Sequence, residues 1–338
     1  MTPSCALCSG RTESPLTEFE LIDLFTRPAL RQGEGVLVGI GDDAAVLRPP
    51  RGEDLAMTVD AVVEGVHFDR SFSAADIGWK ALAVNLSDLA AMGARPLWAL
   101  CALATPRGEP RARLAGIGRG LAACASAHGV ALVGGNVSRA RELSLTITAV
   151  GGVRRGRALG RAGALPGDVL LVSGTLGDAA LGLRPGASAP LRRRQRRPIP
   201  RLELGQALAP LAHAAIDVSD GLVQDLGHLC RASAVGAIVH LSQIPLSREY
   251  RRAVEGAPDP LEAALSGGED YELVLAIPRA RVRAARALAD AVGVPLTPIG
   301  EAIRGSGVTA VDAAGRPYRP RRAGHDHLRV PGPRDPYT

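Results

Sequence analysis

Apolar residues recur along this chain in two periods, 3.6 and 2, and their alternation predicts a mixed α/β protein. Leu82, Leu86 and Leu89 fall at helical spacing in a helix predicted from Ile77 to Met92, with Gly93 as its stop. A second predicted helix, Arg111 to His128, turns Leu114, Ile117, Leu121 and Cys124 inward and ends at Gly129. A shorter one is predicted from Glu18 to Arg31. Val36 to Val38, Leu55 to Asp60, Leu97 to Leu103 and Val130 to Val133 read as strands, the third of them buried. Leu143 to Thr148 alternates strictly, which predicts a strand with one polar face. Gly151 to Gly156 marks a boundary. Beyond it the pattern predicts a strand over 168–173, helices over 178–183 and 202–214, and a strand-to-helix junction over 215–222. A strand over 273–277, a helix over 279–292 and strands near 295–299 and 308–312 follow.

The 338 residues, 46% of them hydrophobic, suffice for two cores. The expected division is an extension over 1–17, domains over 18–153 and 154–330, and a tail over 331–338. No apolar run reaches about 18 residues, and Met1 to Pro15 lacks the apolar centre of a signal peptide. A cytoplasmic protein without a membrane partner is expected. Five cysteines in a chain of this length make no disulfide framework, and nothing completes a zinc site for Cys5 and Cys8. The net charge of +6 invites a nucleic-acid reading, but 3% aromatic residues leave few stacking platforms, so none is expected. Lys80 is the only lysine. The arginine run over 192–197 lies between prolines and reads as a solvated loop, part of which could face phosphate.

Acidic residues gather where elements end. Gly39-Ile40-Gly41-Asp42-Asp43 follows the first strand, and such a pair suits either an ordinary turn or a hard cation. Thr58 and Asp60 share one strand face, and Asn85 and Asp88 share one helix face. Asp217, Ser219 and Asp220 stand at the strand-to-helix junction, where Ser219 or Asp220 suits a helix cap and Asp217 does not. Glu269 and Asp270 precede the strand over 273–277. The Gly174–Gly177 turn lacks the P-loop pattern. No nucleophile–base pair is visible, and only His67 lies near an acidic cluster. Several carboxylates around magnesium and phosphate fit this inventory, because phosphoryl transfer needs positioning and charge neutralisation more than covalent chemistry. Glycoside hydrolysis would use two carboxylates and leave the others idle.

The segments GIGDDAAVL (39–47), TVDAVVEGVHF (58–68), KALAVNLSDLAAMGARP (80–96), GGNVSR (134–139), IDVSDGLVQDLGHL (216–229) and SGGEDYEL (266–273) resemble the thiamine-monophosphate kinase family from about Glu18 to His327. The resemblance implies an ATP-dependent kinase making thiamine diphosphate from thiamine monophosphate, with several magnesium ions (Mg2+). It implies a two-domain α/β fold: N-terminal strands join those of a partner in a barrel at a homodimer interface, and a C-terminal α/β domain covers the nucleotide cleft. Asp43, Thr58, Asp60, Asp88, Asp217 and Asp220 match the family's magnesium ligands. Gly135, Asn136, Arg161 and Ser219 match ATP contacts, and His67 and Glu269 match substrate contacts. Two positions depart from the family. Asn136 stands where the family has a ligating Asp, keeping an oxygen but losing a charge, and His325 stands where it has an aromatic that stacks on substrate. The sister synthetases are rival readings. DVSDGL with SGGEDYEL argues against aminoimidazole ribonucleotide synthetase, and Cys5 and Cys8 lack the lysine that follows the reactive residue of selenophosphate synthetase. A degenerate nucleotide-binding protein is the non-enzymatic alternative.

Overall fold

A computed structural model describes residues 33–318, with Glu20, Ile22, Pro320 and Gly324. Glu20 and Ile22 are helical; the rest of the helix predicted from Glu18, the Cys5/Cys8 pair and His325 lie outside the described residues.

Strands β1 (Val36–Val38) and β2 (Val46–Leu47) form a small ladder that flanks the 39–45 loop. The first large sheet runs β3-β6-β4-β5, from β3 (Glu53–Val63), β4 (Arg95–Thr105), β5 (Ala131–Arg139) and β6 (Ser144–Arg154). Only β4 and β5 pair in parallel. Helices α1 (Ala74–Ala91) and α2 (Arg111–His128) cover one face, and Gly129 closes α2 in the left-handed conformation. Gly78 and Gly120 let the two helices touch: a Cβ at Gly78 would collide with the Ile117 carbonyl, and one at Gly120 with that of Ala75. Part of the sheet's other face packs Trp98, Val133 and Val150 against β1 and β2, while Leu55, Met57, Val59 and Leu100 stay exposed.

The second sheet is seven-stranded. Its members are β7 (Val169–Ser173), β8 (Ala214–Asp217), β9 (Gly236–His240), β10 (Leu273–Ile277), β11 (Leu296–Ile303), β12 (Gly307–Val311) and β13 (Pro317–Tyr318). They lie in the order β13-β12-β9-β11-β7-β10-β8. Among the described residues neither sheet closes on itself. Strands β7 and β10 are buried along their whole length, which explains their unbroken apolar runs. Leu171, Leu273 and Leu275 join the core around α1, and Leu170, Val172 and Val274 join a second core on the opposite face. Helices α3 (Asp178–Gly182), α4 (Ala189–Arg196), α5 (Leu202–Leu208), α6 (Leu222–Ser233), α7 (Arg248–Ala253), α8 (Glu262–Ser266) and α9 (Val282–Ala291) complete this half. Helix α1, buried on most sides, sits between the two sheets and packs against both.

The structure corrects five readings of the pattern. The arginine run is no loop: it is helix α4, started by Pro190 and followed by Pro198. Gly134-Gly135-Asn136 lies inside β5, because the parallel pairing with β4 continues through these positions. Gly151 and Gly152 likewise belong to β6, which runs on to Arg154. The helix predicted over 202–214 ends at Leu208, since Pro210 cannot continue it, and Ala214 opens β8. Strand β4 is not buried on both faces, because Leu100 points to open surface.

Candidate active site

The chemistry collects where β3, α1 and β8 meet. Thr58 Oγ1 donates to Asp88 Oδ2 at 2.5 Å, so the strand hydroxyl orients the helix carboxylate. One turn earlier, Asn85 accepts the Asp60 backbone N–H at 3.0 Å and anchors its own amide on the Ala81 carbonyl at 3.0 Å. Ser87 Oγ donates to Asp217 Oδ2 at 2.7 Å, which ties α1 to the end of β8 in the other half.

Burial raises the Asp88 carboxyl above its ordinary range, against the Thr58 hydrogen bond and the charge of Arg161. Burial also raises Asp217, the charge of Asp88 adds to it, and Ser87 and Arg161 oppose it. Two acids on separate halves therefore repel across the cleft, and Arg161 is the positive charge both feel. Tyr271, which the sequence reading passed over, marks the centre of this arrangement. Burial raises its phenol, and the charges of Glu269, Asp60, Asp217 and Asp88 raise it further.

At the next junction the helix cap is not the residue expected. Asp225, from inside α6, accepts the backbone N–H groups of Ser219, Asp220 and Gly221, each at 3.0 Å. Burial and the neighbouring Asp220 charge still push the Asp225 carboxyl up to about 7. The Ser219 and Asp220 side chains are thereby released from capping, and Gln224 donates to Asp220 Oδ2 at 3.1 Å. Gly324, the residue before His325, passes so close to Gln224 that a Cβ there would collide with its side chain.

Glu269 and His67 come together through Lys80. Its Nζ donates to Glu269 Oε1 at 2.6 Å and to the His67 carbonyl at 2.9 Å. Behind them Glu272, fully buried, accepts from Ser173 at 2.5 Å and from Arg194 and Arg201 at 2.7 Å. Burial alone would raise this carboxyl, but Arg201 and Arg194 outweigh it and hold it below its ordinary range. Arginines of the 192–197 run are thus bound into internal ion pairs, Arg194 with Glu272 and Arg197 with Asp76.

Other expected residues stand apart. Asp43 lies on the exposed 39–45 loop, where its N–H donates to Asp42 Oδ1 at 2.9 Å. Gly135 and Asn136 lie on β5, at the opposite edge of the first sheet from Asp60. A Cβ at Gly135 would collide with the Cys101 carbonyl, so the close approach of β4 and β5 requires glycine there. Among the described residues no three His, Cys, Asp or Glu side chains converge closely enough to hold a metal ion alone. Cys101, Cys124 and Cys230 are buried, with the Cys101 thiol pushed up to about 12 by burial, as small core residues should be.

The AIR synthase related protein, N-terminal domain, matches residues 41–153, and the AIR synthase related protein, C-terminal domain, matches residues 166–313. Together with the two mixed sheets and the acidic cleft, these matches define the class as a two-domain AIR synthase related protein. Within it, the chain is 41% identical over 324 residues to the thiamine-monophosphate kinase of Escherichia coli K12, covering 93% of this chain and 99% of that one. It is 43% identical over 295 residues to that of Salmonella typhimurium LT2, covering 84% and 90%. The chain belongs to the thiamine-monophosphate kinase family. The crystal structure of the Stenotrophomonas maltophilia K279a enzyme superposes with a TM-score of 0.80 at 44% identity, over 88% of this chain and 97% of that one. AaThiL complexed with AMPPCP and TMP gives 0.73 at 33% identity, over 91% and 97%. The hydrogenase maturation protein HypE of Escherichia coli shares the fold, with 0.72 at 23% identity.

Proposed function

We propose that the protein transfers the γ-phosphate of ATP directly to the phosphate of thiamine monophosphate, yielding thiamine diphosphate and ADP. One observation carries this reading: Ser87, beside Asp88 on α1, donates to Asp217 of the other half at 2.7 Å, which brings two buried carboxylates near each other with the charge of Arg161 acting on both. Two carboxylates raised by burial, with the charge of Asp88 adding to the effect at Asp217, suit a site completed by positive charge. The all-oxygen donor set Asp43, Thr58, Asp60, Asp88, Asp217 and Asp220 fits magnesium, which would neutralise phosphate oxygens and align the two anions.

The attacking phosphate is already an anion, so the chain supplies no strong base. Its residues position the reactants and offset their repulsion. Arg161 places a guanidinium charge at the cleft. Gly135, Asn136 and Ser219 take the nucleotide, while His67, Glu269 and His325 take the thiamine end. The complex of a relative with AMPPCP and TMP supports the choice of substrates. The halves over 18–153 and 154–330 act as the nucleotide-binding and covering domains of a cytoplasmic homodimer. Among the described residues no helix is long and apolar enough to cross a membrane.

The test is to incubate purified protein with ATP, magnesium and thiamine monophosphate and to follow thiamine diphosphate. Inversion at a chiral γ-phosphate is expected, whereas retention would exclude a single transfer. ATP bound without product would favour the non-enzymatic alternative.

A further inference from the structure

Every side-chain cation of this chain but one is arginine or histidine, and the exception, Lys80, is 1% exposed. A buried ammonium demands a charge partner and acceptors for its hydrogens. Lys80 finds them in the Glu269 carboxylate at 2.6 Å and the His67 carbonyl at 2.9 Å, with the Phe72 ring centroid 5.7 Å away. The three residues come from three places: α1, the loop before β10, and the turn after β3. A planar guanidinium on a longer stem cannot replace a compact three-donor group at such a point, which accounts for lysine here in an arginine-rich chain.

The loop that carries Glu269 is held under strain. Gly268, Glu269 and Tyr271 have φ of 65°, 61° and 51°, a left-handed backbone that non-glycine residues keep only where their surroundings enforce it. The enforcement is visible. The Glu269 N–H donates to the Ser219 carbonyl at 2.7 Å, its Oε1 takes Lys80, and its Oε2 takes Gln195 Nε2 at 3.3 Å. The Lys80 contact is the charged one, and among the described residues it alone reaches the first half of the molecule.

We infer that Lys80 is the positioning residue of the thiamine monophosphate site: it fixes the Glu269 carboxylate relative to the His67 turn and so joins the two halves at that point. The inference rests on the activity proposed above, in which His67 and Glu269 meet thiamine monophosphate. Thiamine carries a thiazolium cation and an aminopyrimidine with N–H donors, and an oriented carboxylate complements both. Each Glu269 oxygen has a second lone pair beyond its protein partner.

The test uses the single lysine as its own probe. Wild-type protein labelled with 15N at the lysine side chain gives one ammonium resonance, to be titrated with thiamine monophosphate and separately with a non-hydrolysable ATP analogue. A larger shift with thiamine monophosphate is expected. Kinetics of Lys80→Met and Lys80→Arg should show KM for thiamine monophosphate raised about tenfold or more, with KM for ATP changed much less. Equal movement of both KM values, movement of neither, or a resonance indifferent to thiamine monophosphate overturns the inference. If Lys80→Met does not fold, the wild-type titration decides. Wild-type protein that makes no thiamine diphosphate removes the activity reading, and the same titration then decides separately whether this ligand reaches Lys80.

Discussion

Thr58 and Asp88, thirty residues apart, are joined by a 2.5 Å hydrogen bond that brings β3 and α1 to one point of the cleft. The bond fixes a carboxylate that burial would otherwise push further toward the neutral form. Asp88→Asn keeps an oxygen for the Thr58 hydroxyl and removes the repulsion, so the fold should not suffer. Turnover should fall about 100-fold or more, as when a charge-stabilising group is lost. The melting temperature should stay within about 4 °C. Activity assays paired with calorimetry check this, and a variant that simply unfolds would remove Asp88 from the site.

Glu272 should show the opposite behaviour, a large effect on stability. It satisfies Ser173, Arg194 and Arg201 from a fully buried position. Glu272→Gln leaves two guanidinium groups facing a neutral amide, and breaking a buried pair in this way costs about 3–5 kcal/mol. Urea denaturation should find a loss of that size. Arg279→Ala, which breaks an ion pair with Glu301 exposed on both sides, should cost about 1 kcal/mol or less.

Asp270 makes the stability depend on pH. It accepts the N–H groups of Gly177 at 2.6 Å and Ala179 at 3.4 Å, yet burial wins and its carboxyl is pushed up to about 8. In the unfolded chain an aspartate titrates near ~4. Between these values the folded state holds more protons, so the contribution of Asp270 is fully present below about 4 and is lost as pH rises to about 8. Asp270→Asn should lose less stability than wild type between pH 5 and about 8.5, measured by thermal melts across that window. A steeper loss in the variant would contradict the assignment.

Much of this was legible in the chain. The buried strands announced themselves as unbroken apolar runs, and α2 appeared with its Gly129 cap. The acidic clusters at element ends pointed to phosphate chemistry before any coordinates did. What stayed hidden depends on partners distant in sequence. Nothing near Arg194 shows that Glu272, 78 residues on, will accept it. Nothing near Lys80 shows Glu269, 189 residues away. The capping role fell to Asp225 because a carboxylate one turn inside the helix can reach back to three N–H groups, which a reading confined to the first helical residue misses. Tyr271 carried no local signal, since its place among four acids follows from topology. The buried lysine did leave a trace: a single lysine in an arginine-rich chain is a compositional anomaly worth following.

The first sheet makes one more prediction. Met57 and Val59 are 66% and 59% exposed on edge strand β3, and Leu100 is exposed on the same face of β4. Val59 pairs with Thr148, and Thr148 with Leu100, so these side chains form one row across three strands. An apolar row beside a strand edge that is unpaired among the described residues is a surface that seeks cover. A second copy of the chain, packed on this face, would bury both rows, in line with the homodimer reading. Val59→Asp with Met57→Asp would place two charges in each copy's half of that interface without touching the core around α1. Sedimentation velocity should show a dimer for wild type and a monomer for the double variant, with unchanged far-ultraviolet circular dichroism. If both sediment as the same species, the association uses another surface and this face needs a different explanation.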